Sequence, residues 1–183
     1  MKKYEFTDET IEYCGRKVTR IRALIDFGNV KAGNLGGFIE KESNLSHDGD
    51  AWVYGDAKVS GDAEVYGDAK VSGDAKVSGD AKVSGDAEVY GDAWVSGDAW
   101  VSSNADYICI KGLGRYNRNT TFFRTKHGIS VVCGCFSGTL EEFEAKVVET
   151  HGNSIYAKEY LAAVEVVKIH FGIAETKNEE DGR

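Results

Sequence analysis

Between Tyr107 and Val131 the chain carries Lys111, Arg115, Arg118, Arg124 and Lys126 and no carboxylate. Guanidinium forks grip phosphate and carboxylate through paired N–H bonds, so a cluster of this kind is a candidate anion site. Two of the arginines fall in Gly112-Leu113-Gly114-Arg115-Tyr116-Asn117-Arg118-Asn119, a glycine-rich loop that also offers backbone amides, asparagines and an aromatic ring. Tyr116 or Phe122 would supply a stacking surface for a base, which makes a nucleotide the natural ligand to expect. The expected ligand-binding set is Lys111, Arg115, Tyr116, Asn117, Arg118, Arg124 and Lys126. The spacing is not that of a phosphate-binding loop, and the same cations also balance an acidic neighbouring segment.

Other reactive side chains are sparse. His127 sits in a turn, while His151 and His170 fall near helix ends, where a cation suits the dipole. Cys14, Cys109, Cys133 and Cys135 are too few and too irregular for a disulfide framework, and Cys133-Gly134-Cys135 lacks the spacing of a zinc or redox pair. Asp recurs at regular turns, but Gly-Asp is also the ordinary turn pair, so no metal is expected there. Neither a catalytic residue nor a cofactor is expected.

The elements that would position the basic loop begin with a repeat. From Gly49 to Ser102 the chain reads Gly-Asp-Ala-x-Val-x nine times without a break. Ala and Val lie two apart, so in an extended segment both point to one side. The residue between them points outward and is Trp52, Lys58, Glu64, Lys70, Lys76, Lys82, Glu88, Trp94 or Trp100. Gly-Asp supplies the bend. A fixed short period means that each unit buries its apolar side only against its neighbours. Copies so alike serve as a scaffold better than they encode an asymmetric pocket. The block carries a net charge of −7, which allows another reading, an acidic rod that mimics DNA. Trp52, Trp94 and Trp100 stand outward at the two ends of the block and mark interfaces, with the flanking segments or with another subunit.

Val53-Tyr54-Gly55-Asp56-Ala57-Lys58 and the copies after it resemble the hexapeptide-repeat family. That resemblance implies a left-handed parallel β-helix with three hexapeptides per coil, so that residues eighteen apart stack. Val53, Val71 and Val89 would form one inner column, with Val59, Val77, Val95 and Val65, Val83, Val101 forming the others. It also implies a homotrimer and, as an alternative function, an acyltransferase with a histidine base. No repeat holds a histidine, and His47, which could pair with Asp48, is the nearest candidate. The stretch from Ile21-Arg22-Ala23-Leu24 through Gly36-Gly37-Phe38-Ile39-Glu40 to Asn44-Leu45-Ser46 resembles the leader of such proteins carried by phages and prophages.

Four segments are expected. Residues 1–48 form a β-hairpin, turning at Gly15-Arg16, and an irregular first coil that caps the rod; 49–105 form the β-helix. Residues 106–172 form a small α+β unit with strands at Tyr107 to Lys111, Thr121 to Thr125 and Ile129 to Phe136, then two helices. Thr139-Leu140-Glu141-Glu142 is a capping-box start, and 173–183 is a polar tail. With 42% hydrophobic residues, a net charge of −8, no apolar run of membrane length and no signal-peptide core, a cytoplasmic protein is expected. These readings converge on a phage-type scaffold or binding protein in a bacterial host. Its C-terminal unit would grip a host protein or sequester a nucleotide, a counter-defence role.

Overall fold

The computed structural model describes residues 1–173, so the expected tail lies outside the described residues apart from Ile173. Strands β1 (Tyr4–Tyr13) and β2 (Arg16–Ala23) form the N-terminal hairpin. Its turn is Cys14-Gly15, one residue earlier than the expected Gly15-Arg16, because Tyr13 pairs with Arg16 and both intervening residues take positive φ. Strand β3 (Leu35–Ile39) pairs with β2 and then lies parallel to the repeat block. Gly36 and Gly37 permit that approach: a Cβ at Gly36 would stand 2.6 Å from Ile21 and 2.7 Å from Trp52, and one at Gly37 2.5 Å from the Ala57 carbonyl.

Nine two-residue strands follow: β4 (Trp52–Val53), β5 (Lys58–Val59), β6 (Glu64–Val65), β7 (Lys70–Val71), β8 (Lys76–Val77), β9 (Lys82–Val83), β10 (Glu88–Val89), β11 (Trp94–Val95) and β12 (Trp100–Val101). They pair in parallel at the eighteen-residue offset, β7 between β4 and β10, β8 between β5 and β11, β9 between β6 and β12. The result is a three-faced solenoid of about four turns once the first coil at β3 and Leu45 is included. Every repeat Ala and Val is at most 1% exposed, so the interior is a dry stack of two small side-chain types. Each repeat Gly bends a corner at φ between 58° and 71°, in the region a side chain disfavours.

The solenoid is polar along its axis, and its two ends therefore need opposite chemistry. Turn after turn, N–H groups of an earlier coil donate to carbonyls of a later one, as Trp52 does to Ala69 and Tyr54 to Val71. The first repeat coil is left with open carbonyls and the last with open N–H groups. Donors cover the front: Phe38, Glu40 and Ser46 N–H reach Ala57, Val59 and Val65, while the buried Asn44 amide donates to Gly61 (3.0 Å) and Ala63 (2.8 Å). The buried Lys3 ammonium donates to Gly49 (3.2 Å) and Ala51 (2.9 Å); burial pushes its pKa down against the pull of Asp50, Asp48 and Asp68. Acceptors cover the rear: Asn104 Oδ1 takes the Glu88 N–H, Thr121 Oγ1 that of Trp94, and Asp106 Oδ2 that of Ser102.

Strands β13 (Tyr107–Leu113), β14 (Arg118–Thr125), β15 (Gly128–Cys133) and β16 (Phe136–Thr139) form an antiparallel sheet under that rear end. There are four strands where three are expected, because Ile129 to Phe136 is broken by a two-residue turn in which Gly134 takes φ +61°. Helix α1 (Leu140–His151) starts on the expected box, with Thr139 Oγ1 accepting from Glu142 N–H and the Glu142 carboxylate from Thr139 N–H. Helix α2 (Ile155–His170) is capped by Ser154. Alternation along the strands gives the sheet two apolar faces. Tyr107, Phe123 and Val132 join the core of the solenoid, whereas Phe122, Val131 and Cys133 join Phe143, Val147, Val164 and Val167 of the helices.

Candidate functional site

The β13–β14 turn, residues 114–117, closes on Asn117, whose N–H donates to Gly114 O at 3.1 Å and whose φ is +48°, a conformation asparagine tolerates better than most residues. It is held from below by α2. Tyr160 Oη donates to Leu113 O (3.3 Å), and the Glu159 carboxylate accepts from Gly114 N–H (2.7 Å). A Cβ at Gly114 would lie 2.4 Å from Tyr160 Oη, so only glycine leaves room for the phenol there. Burial first, then the neighbouring Cys133, pushes the Tyr160 phenol up to about 12. It remains a neutral donor.

Arg118 leaves β14 and lies across the β15–β16 turn. A Cβ on Gly134 would come within 1.8 Å of its Nη1, so the bare backbone of Gly134 is the bed of the guanidinium. Arg118 and Arg115 both lie over the ring of Tyr116, at 5.4 and 5.9 Å from its centroid. Among the described residues neither guanidinium has an ion-pair partner. Between this turn, the β15–β16 hairpin and the two helices opens a pocket of about 380 Å³. Phe136, Phe143, Val147 and Tyr160 form its apolar floor; Lys146, Thr150 and His151 of α1 complete the rim beside the arginines. Lys146 pairs with Glu149 at 2.9 Å, and the His151 ring stacks on Tyr160 at 5.6 Å and 22°. Among the described residues no carboxylate lines the pocket. It suits an anion attached to an apolar body.

Of the expected ligand-binding residues, the structure gathers Arg115, Tyr116 and Arg118 at the pocket, with Asn117 shaping their turn. The other three lie elsewhere. Lys111 points the opposite way from the helices and pairs with Asp92 of the solenoid, holding that carboxyl below its usual range. Arg124 pairs with Asp106 (3.1 Å), donates to Phe171 O and covers the Phe171 ring, all structural tasks. Lys126 is exposed in the β14–β15 turn, at the other end of β14. Sequence reading missed the helical half of the pocket. The face Leu140, Phe143, Val147 was legible as core, and Lys146 and Thr150 flank Val147 on the same helix, which is the signal that could have found them.

The tryptophans part company. Trp52 is 1% exposed under Tyr4 and Phe27 of the N-terminal segment, and Trp94 is half-buried with its indole N–H directed at Ser78 Oγ (3.4 Å) and Lys76 over its ring. Trp100 is 50% exposed. His47 is engaged on both nitrogens: Nδ1 accepts from Lys3 N–H (3.1 Å), Nε2 meets Glu42 (2.8 Å), and the ring stacks on Tyr4. Its carboxylate partner is Glu42 and not the expected Asp48, because the first coil folds Glu42 back over the ring. Among the described residues no group of three or more His, Cys, Asp or Glu could hold a metal ion, and no helix is long and apolar enough to cross a membrane. No family model matches this chain, and no curated protein matches it.

Proposed function

We propose that this chain is a binding protein whose solenoid is a scaffold and whose working part is the pocket at its rear end, where an anionic ligand is held by Arg115 and Arg118. One observation carries the reading: two guanidiniums without ion-pair partners among the described residues stand over an apolar floor in a single concavity. The resemblance of the repeats to the hexapeptide-repeat family, and of the first coil to phage-borne members, supports a homotrimer in the cytoplasm of a bacterial host. In that setting, sequestering an anionic signal, a nucleotide among the candidates, would be a counter-defence activity, and capture of a host protein by the same end is the related use. Acyl transfer gains no support from a His47 whose nitrogens are both engaged. The Asp columns of a DNA mimic are separated by faces that carry lysines, two of which pair across coils with glutamates, Lys70 with Glu88 and Lys82 with Glu64.

Calorimetry of the full-length protein against a panel of small anions, nucleotides included, tests the pocket. Saturable binding that an R115A/R118A variant loses is the expected result; no binding by any anion, or binding unchanged in the variant, refutes the reading.

A further inference from the structure

Resting on that reading, the geometry points to the class of ligand: a flat aromatic carboxylate, a fused-ring acid for instance, with its ring on the floor and its carboxylate at the arginine rim. Three features of the pocket argue for a ring that carries no polar edge. Its floor is a cluster of aromatic rings, Phe143 meeting Tyr160 edge to face at 5.7 Å and 86° and Phe136 at a tilt, at 5.3 Å and 55°. A further flat ring would extend that cluster, an arrangement aromatic quadrupoles favour. The floor also has no hydrogen-bonding group to spare. Phe136, Phe143 and Val147 have none, and the Tyr160 hydroxyl donates to Leu113 O and accepts from the Cys133 thiol. Amide and amino groups of a nucleobase turned to this floor would be buried unpaired, at about 1–3 kcal/mol for each. The polar groups stand on the rim, and of its three permanent cations Lys146 is paired with Glu149 while the two arginines have no ion-pair partner among the described residues.

The arginines set the sign of the head group, and a planar carboxylate matches a guanidinium fork through paired N–H bonds. The volume of about 380 Å³ is at the small end for ligand pockets, room for a bicyclic acid but not for a polyphosphate chain.

Cys135 provides a reporter at the site. It is exposed and lines the pocket, while Cys14, also exposed, lies in the turn of the N-terminal hairpin. Full-length protein would be alkylated with iodoacetamide in the presence of naphthoate, of neutral naphthylmethanol or of AMP, and modification at the two cysteines followed by mass spectrometry. Affinities would be taken in parallel by calorimetry. The expected result is that naphthoate slows modification of Cys135 and leaves Cys14 unchanged. Naphthylmethanol should bind about 10-fold or more weakly, the cost of losing the charge-assisted bonds, and AMP should be weaker than naphthoate. R115A/R118A should lower naphthoate affinity by about 10- to 100-fold, and the protection experiment in the native chain stands even if that variant misfolds. Protection by AMP equal to or better than that by naphthoate overturns the ligand class while leaving the anion-binding reading intact. Equal binding of naphthoate and naphthylmethanol overturns the role of the arginines. No protection and no binding by any of the three, with the wider anion panel also silent, overturns both proposals.

Discussion

Replacing Asp106 by asparagine keeps the shape of the side chain and removes its charge, at the joint between the last coil and the sheet beneath it. Oδ2 of Asp106 accepts from Ser102 N–H (2.9 Å), Ser102 Oγ (2.8 Å), Ser103 N–H (2.9 Å) and Ser103 Oγ (3.1 Å), and Oδ1 meets Arg124 Nε at 3.1 Å. An asparagine can keep its carbonyl oxygen in the Oδ2 position and turn its amide toward Arg124. The hydroxyls can rotate to adapt, so the loss falls on the two backbone bonds, which drop from charge-assisted to neutral at about 1 kcal/mol each. The Arg124 pair adds at most about 1 kcal/mol, since the Arg124 side chain is 44% exposed. D106N should therefore destabilise the fold by about 2–3 kcal/mol at pH 7, about 1 M in urea midpoint for a slope of about 2–3 kcal/mol per M. Burial pushes the Asp106 carboxyl up, but the hydrogen bonds from Ser102 and Ser103 together outweigh it and hold the group below its ordinary range. A depressed folded-state pKa contributes stability that is complete above the unfolded value and is lost as pH falls through the folded one. The gap between the native chain and D106N is thus widest at neutral pH and closes below about pH 4. Urea titrations followed by tryptophan fluorescence and circular dichroism, at several pH values, measure it. A gap under about 0.5 kcal/mol at pH 7, or one as wide at about pH 2 as at pH 7, would refute the reasoning.

Three further outcomes are expected. V77A removes two methyls from the middle of a buried column, at 1% exposure, and should cost about 2–3 kcal/mol in urea unfolding with no change in slope. Gly85 and Gly97 share a corner geometry, at φ +59° and +66°, but a Cβ on Gly85 would lie 2.3 Å from the Ser102 carbonyl oxygen while one on Gly97 meets nothing within 4 Å. G97A should cost about 1–2 kcal/mol, the left-handed penalty alone, and G85A clearly more; equal thermal shifts would contradict the stacking of their corners. On the proposal that the chain forms a homotrimer, W100A should lower the solution mass measured by light scattering, because Trp100 is the repeat tryptophan most exposed among the described residues; an unchanged mass would remove that residue from the proposed interface.

Much of this architecture was legible because its information is local and repeated. Ala51 to Val101 state the inner columns outright, since any one hexapeptide predicts the next, and the eighteen-residue register appears in the pairing of Val59 with Val77 and of Val77 with Val95. Thr139 and Glu142 mark the start of α1 through contacts three residues apart. The β15–β16 turn escaped notice because Gly134-Cys135 is not a strong hairpin pair and both sides of it read as apolar strand.

Chain order alone, then, determined the solenoid, its axial stack of alanine and valine, and the presence of a basic loop after it. Only the tertiary structure decided which of those cations face a pocket. Lys111 and Arg124 are drawn into ion pairs with Asp92 and Asp106, while Arg118 comes to rest on Gly134 and Tyr160 on Gly114, contacts between residues far apart in the chain that depend on shape and on the absence of a Cβ. Periodicity records what each unit shares with its neighbours; a site is made of contacts that occur once, and those exist only after the sheet, the turn and the two helices have packed together.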